Sequence, residues 1–189
     1  MPAQLTGQRR AVFLDRDGTL NVERHHLFRR EDWAWVEGAV EGIRQINRLG
    51  WLAIIVTNQS GIARGLYEEA DVLALHRHVD KLLAAAGAKI DAYYLCSHHP
   101  DYGAVRDCDC RKPMPGMLLR AAQDFSIDLA GSYLVGDKAS DIGAGKRAGV
   151  TPILVATGHG MSENAGICGD VLRSANLASA MAEIRRGLG

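Results

Sequence analysis

Residues 11–21 read A-V-F-L-D-R-D-G-T-L-N, and this stretch decides what fold the rest of the chain must form. Four apolar or β-favouring residues lead into Asp15, one residue intervenes, Asp17 follows, and Gly18 with Thr19 breaks the run. A short apolar run that ends in a turn signal is typical of a buried strand. The sequence therefore predicts two carboxylates at the carboxyl end of a strand.

Two acids at this spacing suit a particular chemistry. Residues i and i+2 of a strand point to the same side, so Asp15 and Asp17 can share one pocket. Carboxylates that close repel each other unless they share a proton or bind a divalent cation. One could then act as a covalent nucleophile and the other as an acid or base. The structural alternative is a strand end with two solvated acids before a tight turn.

Strands and helices are predicted to alternate along the rest of the chain. Apolar residues at helical spacing predict helices, one of which places Val72, Leu75, Val79 and Leu82 on a single stripe; the predicted helices cover residues 40–49, 68–86 and 116–125. Continuous apolar runs predict buried strands over residues 51–56, 92–96, 132–135 and 152–155, and residues 171–188 are expected to hold a last strand and helix. This alternation predicts an α/β fold, a doubly wound, Rossmann-like parallel sheet with helices on both faces. We expect one domain over residues 1–189, with no length to spare for a separate cap domain.

The composition narrows the possible partners. Acidic and basic residues balance at 22 each, so no overall field favours nucleic acid or an anionic membrane. No apolar stretch is long enough to span a bilayer, and residues 1–10 lack the apolar core of a signal peptide. We therefore expect a cytoplasmic protein, monomeric by default, with neither nucleic acid nor membrane as a partner.

Polar side chains also follow two further strands. The residues after the second strand are Thr57, Asn58, Gln59 and Ser60, and those after the fourth are Asp137 and Lys138. A loop contributes two further polar residues, Arg111 and Lys112. Because the carboxyl ends of parallel strands meet at one edge of a sheet, these residues are expected to form one pocket with Asp15 and Asp17. A strand cap and an exposed loop cation are the alternatives for Thr57 and Lys112. For Asp141 a helix N-cap and an indirect role in metal binding both remain open.

The string D-x-D-G-T resembles the first motif of the haloacid dehalogenase superfamily of phosphohydrolases, which implies that the pocket binds a phosphomonoester. Such a ligand needs a nucleophile, a proton donor and positive charge. Asp15 would attack phosphorus and form an aspartyl phosphate, while Asp17 would protonate the leaving oxygen and then activate water. Asp137, one oxygen of Asp15 and the backbone carbonyl of Asp17 would hold Mg²⁺, which prefers oxygen ligands. Contacts to the phosphate or to the carboxylates are expected from Thr57, Lys112 and Lys138.

The cysteines indicate a second metal site. Three of the four cluster in the sequence as C-x-H and C-x-C pairs, whose members are Cys96, His98, Cys108 and Cys110. Tetrahedral Zn²⁺ accepts three thiolates and an imidazole, and four protein ligands are typical of a structural site. The alternative is that the cysteines are close by chance and that His98 or His99 is a surface residue. Cys168 belongs to no motif and is interpreted as a small apolar filler.

The order D-x-D-G-T, T-N, K-P and G-D-x-x-x-D resembles the four motifs of the haloacid dehalogenase (HAD) superfamily of phosphohydrolases. With the cysteine insert, the strings F-L-D-R-D-G-T-L-N, V-T-N-Q-S-G-I-A-R-G and C-D-C-R-K-P-x-P-G-M-L are similar to the bacterial heptose 1,7-bisphosphate 7-phosphatases, a branch near the histidinol-phosphate phosphatases. The resemblance implies a Mg²⁺-dependent phosphatase of nucleotide-activated heptose biosynthesis. It also implies that His98, rather than His99, is the zinc ligand.

The same resemblance implies which residues contact a sugar bisphosphate. These are Glu23, Asn58, Gln59, Ser60, Arg64, Arg111 and Lys138, with Arg64 placed to pair a second phosphate. His25 and His26 either reach the substrate or form an exposed pair. Three alternative functions stay open: a histidinol-phosphate phosphatase, a zinc-stabilised sugar-phosphate-binding protein without turnover, and a phosphotransferase that uses the same intermediate.

Overall fold

The predicted parallel sheet is present at the centre of the molecule. The computed structural model describes residues 8–167 and 169–188, so Cys168 lies outside the described residues. The six strands of the described chain are β1 (Ala11–Leu14), β2 (Leu52–Asn58), β3 (Ala92–Cys96), β4 (Tyr133–Gly136), β5 (Thr151–Val155) and β6 (Leu172–Ser174). The helices are α1 (Ala39–Arg48), α2 (Ser60–Ala63), α3 (Glu69–Ala85), α4 (Gly116–Phe125), α5 (Ala139–Ala148), α6 (Gly160–Glu163) and α7 (Leu177–Arg186), with 3₁₀ turns at Arg30–Asp32 and Asn164–Gly166.

The strand order is β3-β2-β1-β4-β5-β6, and every neighbouring pair is parallel. The chain builds outward from β1 to β3, returns to the centre, and builds outward again from β4 to β6. In a sheet of this kind, ligands bind where the order reverses, beyond the carboxyl ends of the two central strands. The fold therefore directs attention to the crevice between β1 and β4.

Alternate residues of β1 enter two separate cores, as expected for a strand buried on both faces. Val12 and Leu14 pack with α1, α3 and α7, whereas Ala11 and Phe13 pack with α4 and α5 on the other face. This arrangement confirms the predicted doubly wound α/β fold with helices on both faces. Among the described residues, no helix combines the length and the apolar character that crossing a membrane requires.

The end of β2 and the buried stripe of α3 differ from the sequence-based expectation. The second strand does not end at residue 56, because Thr57 and Asn58 continue the ladder opposite Leu95 and Cys96 of β3. On α3, the predicted position of Leu82 in the buried stripe is wrong: Leu82 is 36% exposed and Leu83 is fully buried. The stripe follows a spacing of four residues at this end of the helix, which turns Leu83 rather than Leu82 toward the sheet.

The buried stripe of α3 also contains His76, which is 3% exposed. Its ring stacks on Tyr93 with the centroids 4.3 Å apart, and within the described chain neither ring nitrogen has a hydrogen-bond partner. Burial and the nearby Arg16 guanidinium lower the pKa of His76 to about 3. The protein therefore folds with a neutral imidazole in its core.

This histidine should make stability depend on pH. The folded pKa lies below the unfolded value of about 6.5, so the stabilisation is complete above that pH and is lost as pH falls toward the folded pKa. Between about pH 7.5 and pH 5, His76→Leu should lose about 2 kcal/mol less unfolding free energy than the wild type, measured by urea denaturation. His78→Leu, on the same helix but outside the buried stripe, should keep the wild-type slope; equal slopes in all three proteins would contradict this prediction.

Candidate active site

Three carboxylates meet at the β1/β4 edge. Asp15 directly follows β1, Asp137 directly follows β4, and Asp141 lies in the first turn of α5. Each offers an oxygen within 4.8 Å of the others, and all three side chains are buried. Because β1 and β4 are hydrogen-bonded neighbours, the sheet itself forces these acids together.

One lysine supplies the positive charge at the centre of this cluster. The ammonium nitrogen of Lys112 lies 2.8 Å from Oδ1 of Asp15 and 2.6 Å from Oδ1 of Asp141. It also donates to the backbone carbonyl of Val56 at 2.8 Å. Burial lowers the pKa of Lys112, but the two carboxylates outweigh it and raise that pKa above its ordinary value. Lys112 is thus a buried cation with three oxygen partners, and the alternative of an exposed loop cation is excluded.

The backbone of Lys112 is fixed as firmly as its side chain. Asn58, the last residue of β2, donates from its amide to the Lys112 carbonyl at 3.0 Å and accepts from the Lys112 N–H at 3.0 Å. This two-point contact holds the loop against the strand end. The sequence resemblance implied that Asn58 contacts substrate; Asn58 lines the pocket, and that contact stays a prediction.

Asp137 is the acid of this cluster that does not pair with Lys112; its Oδ1 lies 4.0 Å from Nζ of Lys138. Burial, with a contribution from Asp15, raises the pKa of Asp137 to about 8, and burial raises that of Asp141 to about 6. Oδ1 of Asp137 is buried without a hydrogen-bond partner in the described chain, although its Oδ2 accepts from the His159 N–H at 2.8 Å. An unpartnered carboxylate oxygen beside two further acids is a set of hard donors that suits Mg²⁺.

Two glycines make room for this carboxylate. A Cβ built on Gly18 or on Gly158 would overlap the side chain of Asp137, and both residues have positive φ. Only glycine combines that backbone conformation with the absence of a side chain. The cradle and the donor set together fit a divalent cation bound at Asp15 and Asp137.

Asp17 points to a different set of partners. Its carboxylate accepts four hydrogen bonds, two from Arg16 at 3.1 and 3.0 Å and one each from Asn21 and Gln59, both at 3.0 Å. Burial alone raises the pKa of Asp17, but the Arg16 guanidinium and these donors lower it overall. A carboxylate with all four lone-pair directions occupied is ionised. The structure therefore describes Asp17 in its base form.

Arg16, the middle residue of the D-R-D string, has no role predicted from the sequence. It is fully buried, pairs with Asp17, and donates to the backbone carbonyl of Leu27 at 2.8 Å. Arg16 therefore connects Asp17 to the loop that follows β1. A buried arginine between two acids carries no distinguishing sequence signal, because most arginines are exposed.

The pocket at this edge includes most of the predicted residues. Its walls contain Asp15, Asp17, Glu23, Thr57, Asn58, Gln59, Ser60, Lys112 and Lys138, together with His25 and His26. Three further residues line it that sequence reasoning missed, namely Tyr67, Ser140 and His159. Thr57 is buried and its hydroxyl accepts from the Gln59 amide at 2.8 Å. Ser140 occupies an unspecified position of G-D-x-x-x-D, and Tyr67 and His159 lie in no motif, so only the folded chain reveals that these residues line the pocket.

A basic rim faces the carboxylates across the pocket. Lys138 donates to Glu23 at 3.1 Å, and Nε2 of His159 lies 3.6 Å from the same carboxylate oxygen. Burial lowers the pKa of Lys138, but Asp15, Asp137 and Glu23 raise it overall. Glu23 thus ties the loop after β1 to the loops after β4 and β5.

Arg64 and Arg111 do not line this pocket. Nη2 of Arg64 lies 3.3 Å from Nε2 of His99, and its guanidinium sits over the Tyr102 ring at 4.1 Å. Arg111 donates to the backbone carbonyl of His98 at 3.1 Å. Their contacts with substrate stay predictions.

The N-cap interpretation of Asp141 is wrong. Lys138 occupies the N-cap position of α5, and Asp141 is the third residue of the helix. Its carboxylate accepts from the Lys138 N–H at 3.0 Å while it pairs with Lys112. Asp141 therefore stabilises the helix start from inside the first turn and holds the buried lysine.

The four predicted soft ligands form one cluster. Sγ of Cys96 lies 3.0 Å from Sγ of Cys110 and 3.7 Å from Sγ of Cys108, and Nδ1 of His98 lies 3.4 Å from Sγ of Cys110. All four donor atoms lie within 4.8 Å of one another. Zinc–sulfur bonds of about 2.3 Å in a tetrahedron separate the sulfurs by roughly 3.8 Å. The cluster is compact enough to hold one tetrahedral metal ion, and its donor chemistry suits zinc.

Comparison with known proteins agrees with this geometry. A family model described as HAD-hydrolase-like matches residues 109–173. The D-glycero-beta-D-manno-heptose-1,7-bisphosphate 7-phosphatase of Yersinia pestis is 44% identical over 153 residues, which cover 78% of this chain and 81% of that protein. The enzyme of the same name from Escherichia coli K12 is 42% identical over 160 residues, covering 82% of this chain and 83% of that protein.

A solved structure matches over almost the full length of both chains. The D,D-heptose 1,7-bisphosphate phosphatase of B. bronchiseptica, complexed with magnesium and phosphate, is 34% identical. It covers 94% of this chain and 99% of its own, with a TM-score of 0.86.

Fold, carboxylate cluster and relatives together define the class of protein, a phosphomonoester hydrolase of the HAD type. Within that class, the chain belongs to the family of the D-glycero-beta-D-manno-heptose-1,7-bisphosphate 7-phosphatases. The resemblance inferred from the motifs is thereby confirmed.

The glycine cradle gives a direct test of the cation site. Gly158→Ala should displace the Asp137 carboxylate and reduce kcat/KM at limiting Mg²⁺ by about a hundredfold, since a displacement of about 1 Å can cost that much. A Mg²⁺ titration of activity measures the effect. Gly50→Ala is the matched control, because Gly50 also has positive φ but a Cβ there meets nothing within 4 Å. Equal Mg²⁺ requirements in both variants would contradict the assignment.

Proposed function

We propose that this protein removes the 7-phosphate of D-glycero-beta-D-manno-heptose 1,7-bisphosphate by way of an aspartyl-phosphate intermediate. The observation that carries the proposal is the convergence of Asp15, Asp137 and Lys112 in one buried cluster at the edge where β1 and β4 end. The names of the relatives, together with their sequence identities of 44% and 42% to this chain, support this choice of substrate. Preference for the β anomer would place the enzyme in nucleotide-activated heptose biosynthesis for lipopolysaccharide.

Asp15 is the proposed nucleophile. One of its oxygens pairs with Lys112 at 2.8 Å, which stabilises the ionised carboxylate that attack requires. Attack on phosphorus forms an oxygen–phosphorus bond to Asp15 and breaks the bond to the sugar oxygen, splitting one difficult hydrolysis into two steps. Thr57 would donate its hydroxyl proton to a phosphoryl oxygen, because that hydroxyl already accepts from Gln59.

Mg²⁺ is the proposed metal, held by Asp137, by Asp15 and by the backbone carbonyl of Asp17. When bound, it supplies positive charge that offsets the carboxylates and the phosphate oxygens. The presence of magnesium and phosphate in the relative from B. bronchiseptica supports this proposal. Lys112 would act mainly by neutralising Asp15 and Asp141, since its ammonium group already contacts both carboxylates and the Val56 carbonyl.

Asp17 is the proposed general acid and base. Its base form suits the second step, in which it takes a proton from the water that hydrolyses the aspartyl phosphate. For the first step it must carry a proton to the leaving sugar oxygen. A phosphate dianion bound nearby adds negative charge and raises the pKa of a neighbouring carboxyl, so substrate binding itself would favour protonation of Asp17.

The cysteine cluster is proposed to hold a structural zinc ion. Cys110 precedes Arg111 and Lys112 directly, so a metal at Cys96, His98, Cys108 and Cys110 would fix the start of the segment that delivers Lys112. Clustered cysteines that bind a metal are more typical of a reducing compartment than of an oxidising one, and this supports a cytoplasmic location. The monomeric state stays a prediction.

Phosphate release with Mg²⁺ tests the function against its alternatives. The substrates to compare at matched concentrations are the α and β anomers of the heptose bisphosphate and histidinol phosphate. A large kcat/KM advantage for the β anomer is the expected result. Preference for histidinol phosphate would reassign the substrate, and turnover that requires an added acceptor would indicate a phosphotransferase. No turnover with any of them would indicate a binding protein.

The nucleophile has its own test. Asp15→Asn removes the attacking charge while it keeps the shape of the side chain, so turnover should fall to the background rate while the protein stays folded. Circular dichroism and zinc content check the fold, and phosphate release checks the activity. Asp32→Asn, at an exposed residue that does not line the pocket, should behave as the wild type. Wild-type turnover in Asp15→Asn would exclude Asp15 as nucleophile.

Cys108→Ser tests the metal of the cysteine cluster. Loss of one thiolate should lower the zinc content well below one ion per chain and lower the melting temperature, because binding to a structural site contributes to folding. Elemental analysis and thermal denaturation with and without chelator measure both effects. Cys168→Ser, outside the motif, should retain its zinc. A metal-free wild type whose stability does not change with chelator would leave the cluster without a metal role.

A further inference from the structure

A line of hydrogen bonds runs from Tyr67 to the proposed general acid. The phenol of Tyr67 donates to Oε1 of Gln59 at 2.8 Å. From the other end of the same amide, Nε2 donates to Oδ2 of Asp17 at 3.0 Å and to the Thr57 hydroxyl at 2.8 Å. Gln59 therefore stands between Tyr67 and two residues of the reaction centre.

The chemistry of these groups fixes the direction of every bond. An ionised carboxylate only accepts hydrogen bonds, so the Gln59 NH₂ must face Asp17 and the amide oxygen must face away. That oxygen is then left toward Tyr67, and it needs a donor because Gln59 is buried. Burial raises the pKa of Tyr67 to about 12, so its phenol remains a protonated donor at neutral pH.

The ring of Tyr67 is itself held in place. It stacks on Phe28 with the centroids 4.9 Å apart, and a Cβ on Gly61 would overlap it. Phe28 adjoins Leu27, whose carbonyl accepts from Arg16 at 2.8 Å. Two hydrogen-bond donors of Asp17 are thus connected to the same loop. Arg16 is connected through the Leu27 carbonyl, and Gln59 is connected through Tyr67, which stacks on Phe28.

We propose that Tyr67 is a positioning residue, which holds the Gln59 amide against Asp17 and so keeps the acid aimed at the leaving oxygen of the substrate. This proposal rests on the proposed function, since it takes Asp17 as the proton donor. Tyr67 acts through Gln59 and needs no contact with the reacting atoms. Gln59, which the sequence resemblance assigned to substrate binding, becomes the link.

The variant Tyr67→Phe separates this role from a structural one. It keeps the buried ring and removes only the hydroxyl, which leaves the Gln59 oxygen without its donor. A sugar alkoxide needs a proton to leave, whereas p-nitrophenolate leaves without one, and kcat/KM reports the steps up to the departure of the leaving group. The variant should therefore lose on the order of tenfold in kcat/KM for the heptose bisphosphate. Its kcat/KM for p-nitrophenyl phosphate should change by less than about twofold.

A double-mutant cycle tests the route through Gln59. Gln59→Leu removes the amide, so adding Tyr67→Phe to that background should cause no further loss in kcat/KM. The matched control is Tyr94→Phe, which removes a hydroxyl that donates to Asp124 outside the pocket and should match the wild type with both substrates.

Several outcomes would overturn the proposal. Equal losses with the two substrates would indicate a general structural role for Tyr67, and additive losses in the cycle would show that it does not act through Gln59. No loss in Tyr67→Phe would exclude the role outright. If the heptose bisphosphate is not the substrate, the wild type will show this before any variant is compared. The cycle is then measured with whichever phosphomonoester the wild type hydrolyses. A wild type that hydrolyses none of them would overturn both proposals.

Discussion

The repulsion among three buried carboxylates at the β1/β4 edge is the constraint on which the rest of the structure depends. Asp15, Asp137 and Asp141 are brought together by strand pairing that the core requires, so no local adjustment can separate them. Each ionised group that is buried without a partner costs several kcal/mol. One buried lysine neutralises part of this charge, glycines on two sides leave room for the Asp137 carboxylate, and the remaining oxygens form a donor set that suits a divalent cation.

The position of Lys112 explains why the cysteine loop is built as it is. A lysine on a mobile loop loses side-chain entropy and backbone freedom when it is buried, and both losses weaken its pairing with Asp15. Asn58 clamps the backbone of Lys112 from β2, and the cluster around Cys110 anchors the chain two residues earlier. A metal bound in that cluster would therefore support catalysis at a distance, by stiffening the segment that neutralises the acids.

The sequence predicted which strands carry the site, because apolar runs and turn signals are local, although β2 continues through Thr57 and Asn58. Asp15, Thr57 and Asp137 needed only the rule that the carboxyl ends of parallel strands share an edge. A periodic pattern places a helix and its phase only to within one or two residues. For this reason it places Leu82 in the buried stripe, where the structure has Leu83, and Asp141 at the N-cap, which Lys138 occupies. Tyr67 and His159 reach the pocket through tertiary packing, so no spacing in the sequence could have located them.

The environment of Asp17 shows how one carboxylate can serve two steps. In the structure it is ionised and held by donors from three residues, a state prepared for the second step, where it must accept a proton. For the first step, one of those donors must give way to a proton on the carboxylate. Arg16 is a buried permanent cation and cannot be released cheaply. The amide of Asn21 already has the Val22 carbonyl as a second acceptor, so it is the donor whose withdrawal from Asp17 costs least. Gln59, whose amide oxygen accepts from Tyr67, then keeps its bond to the other oxygen of Asp17 and orients the protonated acid.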